Sequence, residues 1–133
     1  MPKIPHGLYG YGGLQFFQDN GERLIVGNPW QSLNWGLDAN GFQTDLDQFL
    51  PVILEEWHTI VVRTDYNPSG TDTVRVWLDP DFSQTEVNQP VAPTTYSTID
   101  AAFNNIRLRC GNGSASATWT NIILAATSAG VSV

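Results

Sequence analysis

The stretch Trp57–Pro80, WHTIVVRTDYNPSGTDTVRVWLDP, restricts the fold more than any other part of the chain. Ile60 and Val62 alternate with Val61 and Arg63, and Val74, Val76 and Leu78 alternate with Thr73, Arg75 and Trp77. β-Branched and aromatic residues at period two suit a pleated, packed surface, so both runs read as strands. Asn67-Pro68-Ser69-Gly70 between them is a turn with no helical alternative. Charge argues a register. Partners whose numbers sum to 140 would set Asp65 opposite Arg75 and Arg63 opposite Trp77, an ion pair and a cation–π pair. A sum of 138 would oppose Arg63 to Arg75.

The rest of the chain carries the same signature. Leu14–Gln18 and Glu22–Gly27 read as strands around the hairpin turn Asp19-Asn20-Gly21, with a bend before them at Gly10, Gly12 and Gly13. Leu33–Leu37 is a further short strand, closed by a turn at Asp38-Ala39-Asn40-Gly41. A strand then runs to about Asp45. The spacing of Phe42, Leu46, Phe49 and Leu50 suits one helical turn as well as a strand edge, and the segment up to Pro51 is read as irregular or a short turn of helix. Residues 79–98 form a polar, proline-bearing connection in which Thr94–Ser97 can pair at an edge. Asn105–Cys110 has the cleanest alternation, with Ile106, Leu108 and Cys110 inward and Arg107 and Arg109 outward. Ala117–Ala126 is the last expected strand, with Ile122 and Leu124 inward. The predicted core is Ile60, Val62, Val74, Val76, Ile106, Leu108, Ile122 and Leu124.

Composition sets the class. The 133 residues suffice for one domain, 1–133. Charged residues are only 14% of the chain, and the many turns and short strands that 12 Gly and 8 Pro permit leave no room for long helices. A net charge of −7 argues against a nucleic-acid partner and against anionic membranes. The lone Cys110 permits neither an intrachain disulfide nor a Cys-rich zinc site, and its place in the alternation predicts a buried, inert thiol. The opening MPKIPHGLYGYGG has no apolar signal-peptide core, and no segment is long enough to span a bilayer. The chain is either cytosolic or a piece of a longer secreted protein, and its compartment stays open.

WHTIVVRTDY, DTVRVWLDP, NNIRLRCGNG and ATWTNIILA, with GGLQFFQDNGERLIVGN and NWGL upstream, resemble successive strands of bacterial LamG-like domains of the concanavalin A-like lectin/glucanase group. The resemblance covers residues 12–127. It implies an antiparallel β-sandwich of jelly-roll type, lacking the opening strands such domains carry before the point where this chain begins. It also implies a lectin-like role, extracellular if the chain is excised from a longer protein.

Glucanases of that group use carboxylates at alternate strand positions. The nearest match, Asp45-Leu46-Asp47, lacks Glu and a third acid at the next alternate position, and Glu55 and Glu56 are adjacent, hence on opposite faces of a strand. His6 and His58 are far apart and belong to no recognisable triad, and neither Gly-x-Ser-x-Gly nor a phosphate loop occurs. The chain is therefore read as a non-enzyme. Calcium is the one cofactor considered, since it takes several loop oxygens. Asp79 and Asp81 are its candidates, with weaker clusters at Asp19, Asn20 and Glu22 and at Asp38 and Asn40. None has complete spacing, and acids at turns ordinarily cap their own backbone.

Five tryptophans are many for this length. Trp57, Trp77 and Trp119 are read as packing the sandwich, whereas Trp30 and Trp35 flank a loop and are the candidates for stacking on a sugar ring. The resulting expectation is a non-catalytic recognition module for carbohydrate or glycan. The alternatives are a structural or protein–protein assembly domain and, third, a degenerate glycoside hydrolase. Apolar residues on both strand faces, such as Ile60, Val61 and Val62, with few charges to guard an edge, further predict a homodimer. A monomer whose residues 1–13 and 79–98 fold back over the gap is the alternative.

Overall fold

The computed structural model describes residues 11–28, 34–39, 45–51, 56–111 and 118–125. They form two antiparallel sheets, and no α-helix occurs among them. The strands are β1 (Tyr11–Gln18), β2 (Gly21–Asn28), β3 (Asn34–Ala39), β4 (Asp45–Pro51), β5 (Ile60–Asp65), β6 (Asp72–Leu78), β7 (Thr94–Ile99) and β8 (Asn105–Gly111). A single 3-10 turn, Glu86–Asn88, interrupts the connection from β6 to β7. One sheet has the order β4-β3-β2-β1-β8 and the other β5-β6-β7. Four strands thus run as a meander, three more build the second sheet, and β8 returns to pair with β1.

The sheets pack face to face in a sandwich-like, all-β arrangement. Phe16, Leu24, Val26, Leu37 and Ala39 of the larger sheet meet Val74 and Val76 of the smaller, with Ala101 from the loop before β8, in one buried cluster. Leu14, Ile60, Val62, Tyr96, Phe103 and Ile106 pack around it, Phe103 edge-on to Phe16 with centroids 4.9 Å apart. The larger sheet is also covered on its other face, where Gln15, Ile25 and Asp38 are buried. Close strand approach there depends on glycine. Gly27 adopts φ +145°, and a Cβ on it would lie 2.6 Å from the Gly12 carbonyl oxygen.

Both hairpins read from the sequence form. Asp19, at φ 55°, turns β1 into β2, and its carboxylate and amide pair with the Asn104 side chain at 2.8 and 3.0 Å. The β5–β6 register, however, sums to 138: Ile60 faces Leu78, and Arg63 faces Arg75. The loop decides it. Asp72 accepts the Asn67 amide at 2.8 Å, Gly70 N–H donates to the Asn67 carbonyl at 3.2 Å, and Ser69 N–H donates to the Asn67 side chain at 3.1 Å. The two arginines tolerate each other because Asp65 binds both guanidinium groups and Arg63 also reaches Glu86.

Four further expectations are corrected. Residues 45–51 are a strand rather than a helical turn, because β3 offers them a complete ladder, and Asp38 and Ala39 belong to that ladder rather than to a turn. In β8 Ile106 packs on the core, but Leu108 is 51% exposed and Cys110 is exposed. β8 is an edge strand of the five-stranded sheet, and the sheet that faces it has only three strands. Residues 118–125 form no strand, and Ile122 and Leu124 are exposed, since Asn121 at φ 52° interrupts the extended run. Trp57 is exposed rather than packed in the sandwich, because it shares the outward parity of Val61 and Arg63. Trp77 is buried as expected, but on the face away from the central cluster, and Trp119 is half-buried.

Candidate functional site

At one corner of the sandwich the smaller sheet's central hairpin meets β3. The β5–β6 ladder continues one step past the strands, with Asp79 N–H donating to the Thr59 carbonyl at 2.7 Å. Asp79 takes φ 50°, a left-handed conformation uncommon for a residue with a side chain. This bend turns its carboxylate back across the ladder. Oδ1 accepts the Thr59 amide at 2.8 Å, and Oδ2 lies 2.6 Å from His58 Nδ1.

His58 precedes β5 and shares the inward parity of Ile60 and Val62, so it projects between the sheets. Its ring packs edge-on against Trp35 of β3, with centroids 5.3 Å apart at 68°. Glu56, two residues before it, places Oε2 3.8 Å from His58 Nε2. The imidazole is thus flanked by a carboxylate at each nitrogen. Burial pushes the Asp79 carboxyl up, but the hydrogen bonds from His58 and the Thr59 amide, with the His58 charge, outweigh it and hold Asp79 below the usual carboxylate range. An ionised Asp79 only accepts, so the proton of a neutral imidazole sits on Nδ1 and Nε2 presents a lone pair.

His58 Nε2 and Trp35 Nε1 are both buried with no hydrogen-bond partner among the described residues. Such atoms are uncommon in folded chains, and here an acceptor and a donor occur on touching rings. Glu56 borders them at the surface, its side chain 53% exposed. A shallow hollow of about 330 Å³ occurs elsewhere, lined by Leu108, Arg109, Cys110, Thr118 and Trp119, with no acid in its wall.

Of the residues singled out from sequence, Trp35 belongs to this corner, and Trp30 lies outside the described residues. Asp79 belongs to it as the partner of His58. Asp81 does not: its Oδ1 accepts the Ser83 amide at 2.9 Å and the Ser83 hydroxyl at 2.7 Å, a local turn cap. Asp19 is tied to Asn104, and Glu22 to Gln15. Among the described residues no three His, Cys, Asp or Glu stand where a metal ion could be held. The side chains of Asp45 and Asp47, together with Glu55, Asn40 and His6, lie outside the described residues.

His58 was not legible from sequence as part of a site, although a signal was present. Extending the hairpin ladder past Ile60–Leu78 makes Thr59 and Asp79 partners, which brings the acid beside the neighbouring histidine.

No family model matches the chain, and no curated protein and no solved structure is significantly similar to it.

Proposed function

We propose that the chain is a non-catalytic saccharide-recognition module of concanavalin A-like, jelly-roll type, related to LamG-like domains, and that the Trp35–His58–Asp79 corner is its binding site. The observation that carries this reading is an exposed carboxylate, Glu56, beside the touching rings of His58 and Trp35, whose buried nitrogens no described group satisfies. Sugars present apolar ring faces and alternating hydroxyls. An indole surface takes the former, and fixed donors and acceptors take the latter. No serine, threonine or cysteine is hydrogen-bonded to His58, so among the described residues the Asp79–His58 pair lacks a nucleophile to activate.

A glycan array probed with the wild-type chain and with Trp35→Ala tests the reading. Binding by the wild type that falls by about tenfold or more in the variant supports it. Silence of the wild type across the array refutes it. That silence would favour the second reading, an assembly domain, for which the exposed Leu108, Ile123 and Leu124 speak. A homodimer belongs to that reading, and a dimer mass in light scattering at every concentration would support it.

A further inference from the structure

We infer that the corner reads a neutral saccharide through one of its hydroxyl groups, which accepts from Trp35 Nε1–H and donates to His58 Nε2, and that it discriminates against anionic saccharides. This rests on the saccharide reading and specifies the ligand's chemistry. Indole nitrogen can only donate, and in the neutral imidazole His58 Nε2, with Nδ1–H committed to Asp79 at 2.6 Å, can only accept. A carboxylate or sulfate only accepts, so it could serve Trp35 but would set its charge against the Nε2 lone pair. An ammonium only donates, so it could serve His58 but not Trp35. A hydroxyl does both. With N···O hydrogen bonds near 2.9 Å, one oxygen can bridge nitrogens up to about 6 Å apart, and the two rings that carry these are in edge contact.

Charge points the same way. Glu56 Oε2 lies 3.8 Å from Nε2 and Asp79 Oδ2 2.6 Å from Nδ1, so an anion entering beside His58 meets two carboxylates. The Glu56 side chain beside Nε2 is exposed and can accept a hydrogen bond from a second hydroxyl. The chain as a whole, at −7, repels polyanions at distance. A site whose buried donor and acceptor are matched only by a hydroxyl penalises ligands that leave either one unpaired.

The test is calorimetric titration of the full chain with neutral gluco- and manno-hexasaccharides and with a hexagalacturonate of equal length. A neutral hexasaccharide should bind at least about tenfold more tightly than the galacturonate at low salt, and Trp35→Phe, which keeps a ring and removes only the donor, should weaken it about tenfold. The wild-type comparison needs no variant and holds even if Trp35→Phe fails to fold. Galacturonate binding as tight as neutral binding overturns the inference. So does neutral binding that Trp35→Phe leaves unchanged, while the saccharide reading would survive at another place on the surface. Failure of every hexasaccharide to bind removes both.

Discussion

Asp72 is the most consequential polar residue of the smaller sheet, and removing it gives a sharp test of the packing account. It opens β6 with 5% exposure, on the core side with Val74 and Val76. Its Oδ1 accepts the Asn67 amide at 2.8 Å, closing the hairpin loop. Its Oδ2 accepts the Ala101 amide at 2.8 Å, tying the loop before β8 to this sheet. A hydrogen bond to a charged acceptor contributes about 1.5–3 kcal/mol. The two bonds in Asp72→Ala are not equal. Ala101 is 3% exposed, so its N–H would be left buried without an acceptor, near the top of that range. Asn67 is exposed, so water can replace the carboxylate at the bottom of it. The sum is about 4–4.5 kcal/mol, a large part of the about 5–15 kcal/mol by which domains are stable. Urea unfolding followed by tryptophan fluorescence measures it. At a slope of about 1–3 kcal/mol/M the midpoint should fall by at least about 1 M with little change in slope. Asp72→Asn should lose less, because its amide oxygen can still accept one of the two N–H groups. A loss below about 1 kcal/mol in Asp72→Ala would refute the claim that this carboxylate holds the two loops.

Two further outcomes follow from burial and charge. Leu108→Ala should cost under about 1 kcal/mol, whereas Leu37→Ala, at a fully buried site, should cost about 2–5 kcal/mol; equal costs in urea unfolding would contradict the uncovered margin at β8. Burial, then the nearby Asp38 charge, raises the Glu22 carboxyl above its usual 4.5, against Arg109 and the Gln15 hydrogen bond, which lower it. A raised carboxyl favours the fold below its unfolded value and loses that contribution as pH rises through the folded value. Glu22→Gln should therefore raise the melting temperature at pH 7 and leave it unchanged well below pH 4.5, and a variant less stable at neutral pH would contradict this.

The sequence made the local elements legible where side chains and turns agreed. β1, β2 and their Asp19-Asn20 turn, β5, β6 and the extent of β8 follow from alternation and turn chemistry that are complete within each segment. What failed depended on partners distant in sequence. Arg63 opposite Arg75 looks unfavourable pairwise and becomes acceptable only because Asp65 and Glu86 gather on the same face. The burial of Leu108 hinged on the width of the other sheet, which no period encodes. Residues 118–125 alternate as a strand would, but Asn121 departs from extended backbone and no described strand pairs with them. Trp35 was legible as a binding candidate from its position by a loop, while its neighbour His58 depended on the hairpin register.

Saccharide binding at the Trp35–His58–Asp79 corner is the central proposal. The indole N–H region of a proton–nitrogen correlation spectrum tests it most directly, since the chain has five tryptophans and each gives one signal, assignable with single Trp→Phe variants. On titration with the hexasaccharide that binds most tightly, the signal of Trp35 should move saturably, and those of Trp77 and Trp119 should stay in place. Movement of Trp77 or Trp119 alone, or of no indole at saturating saccharide, would contradict the claim.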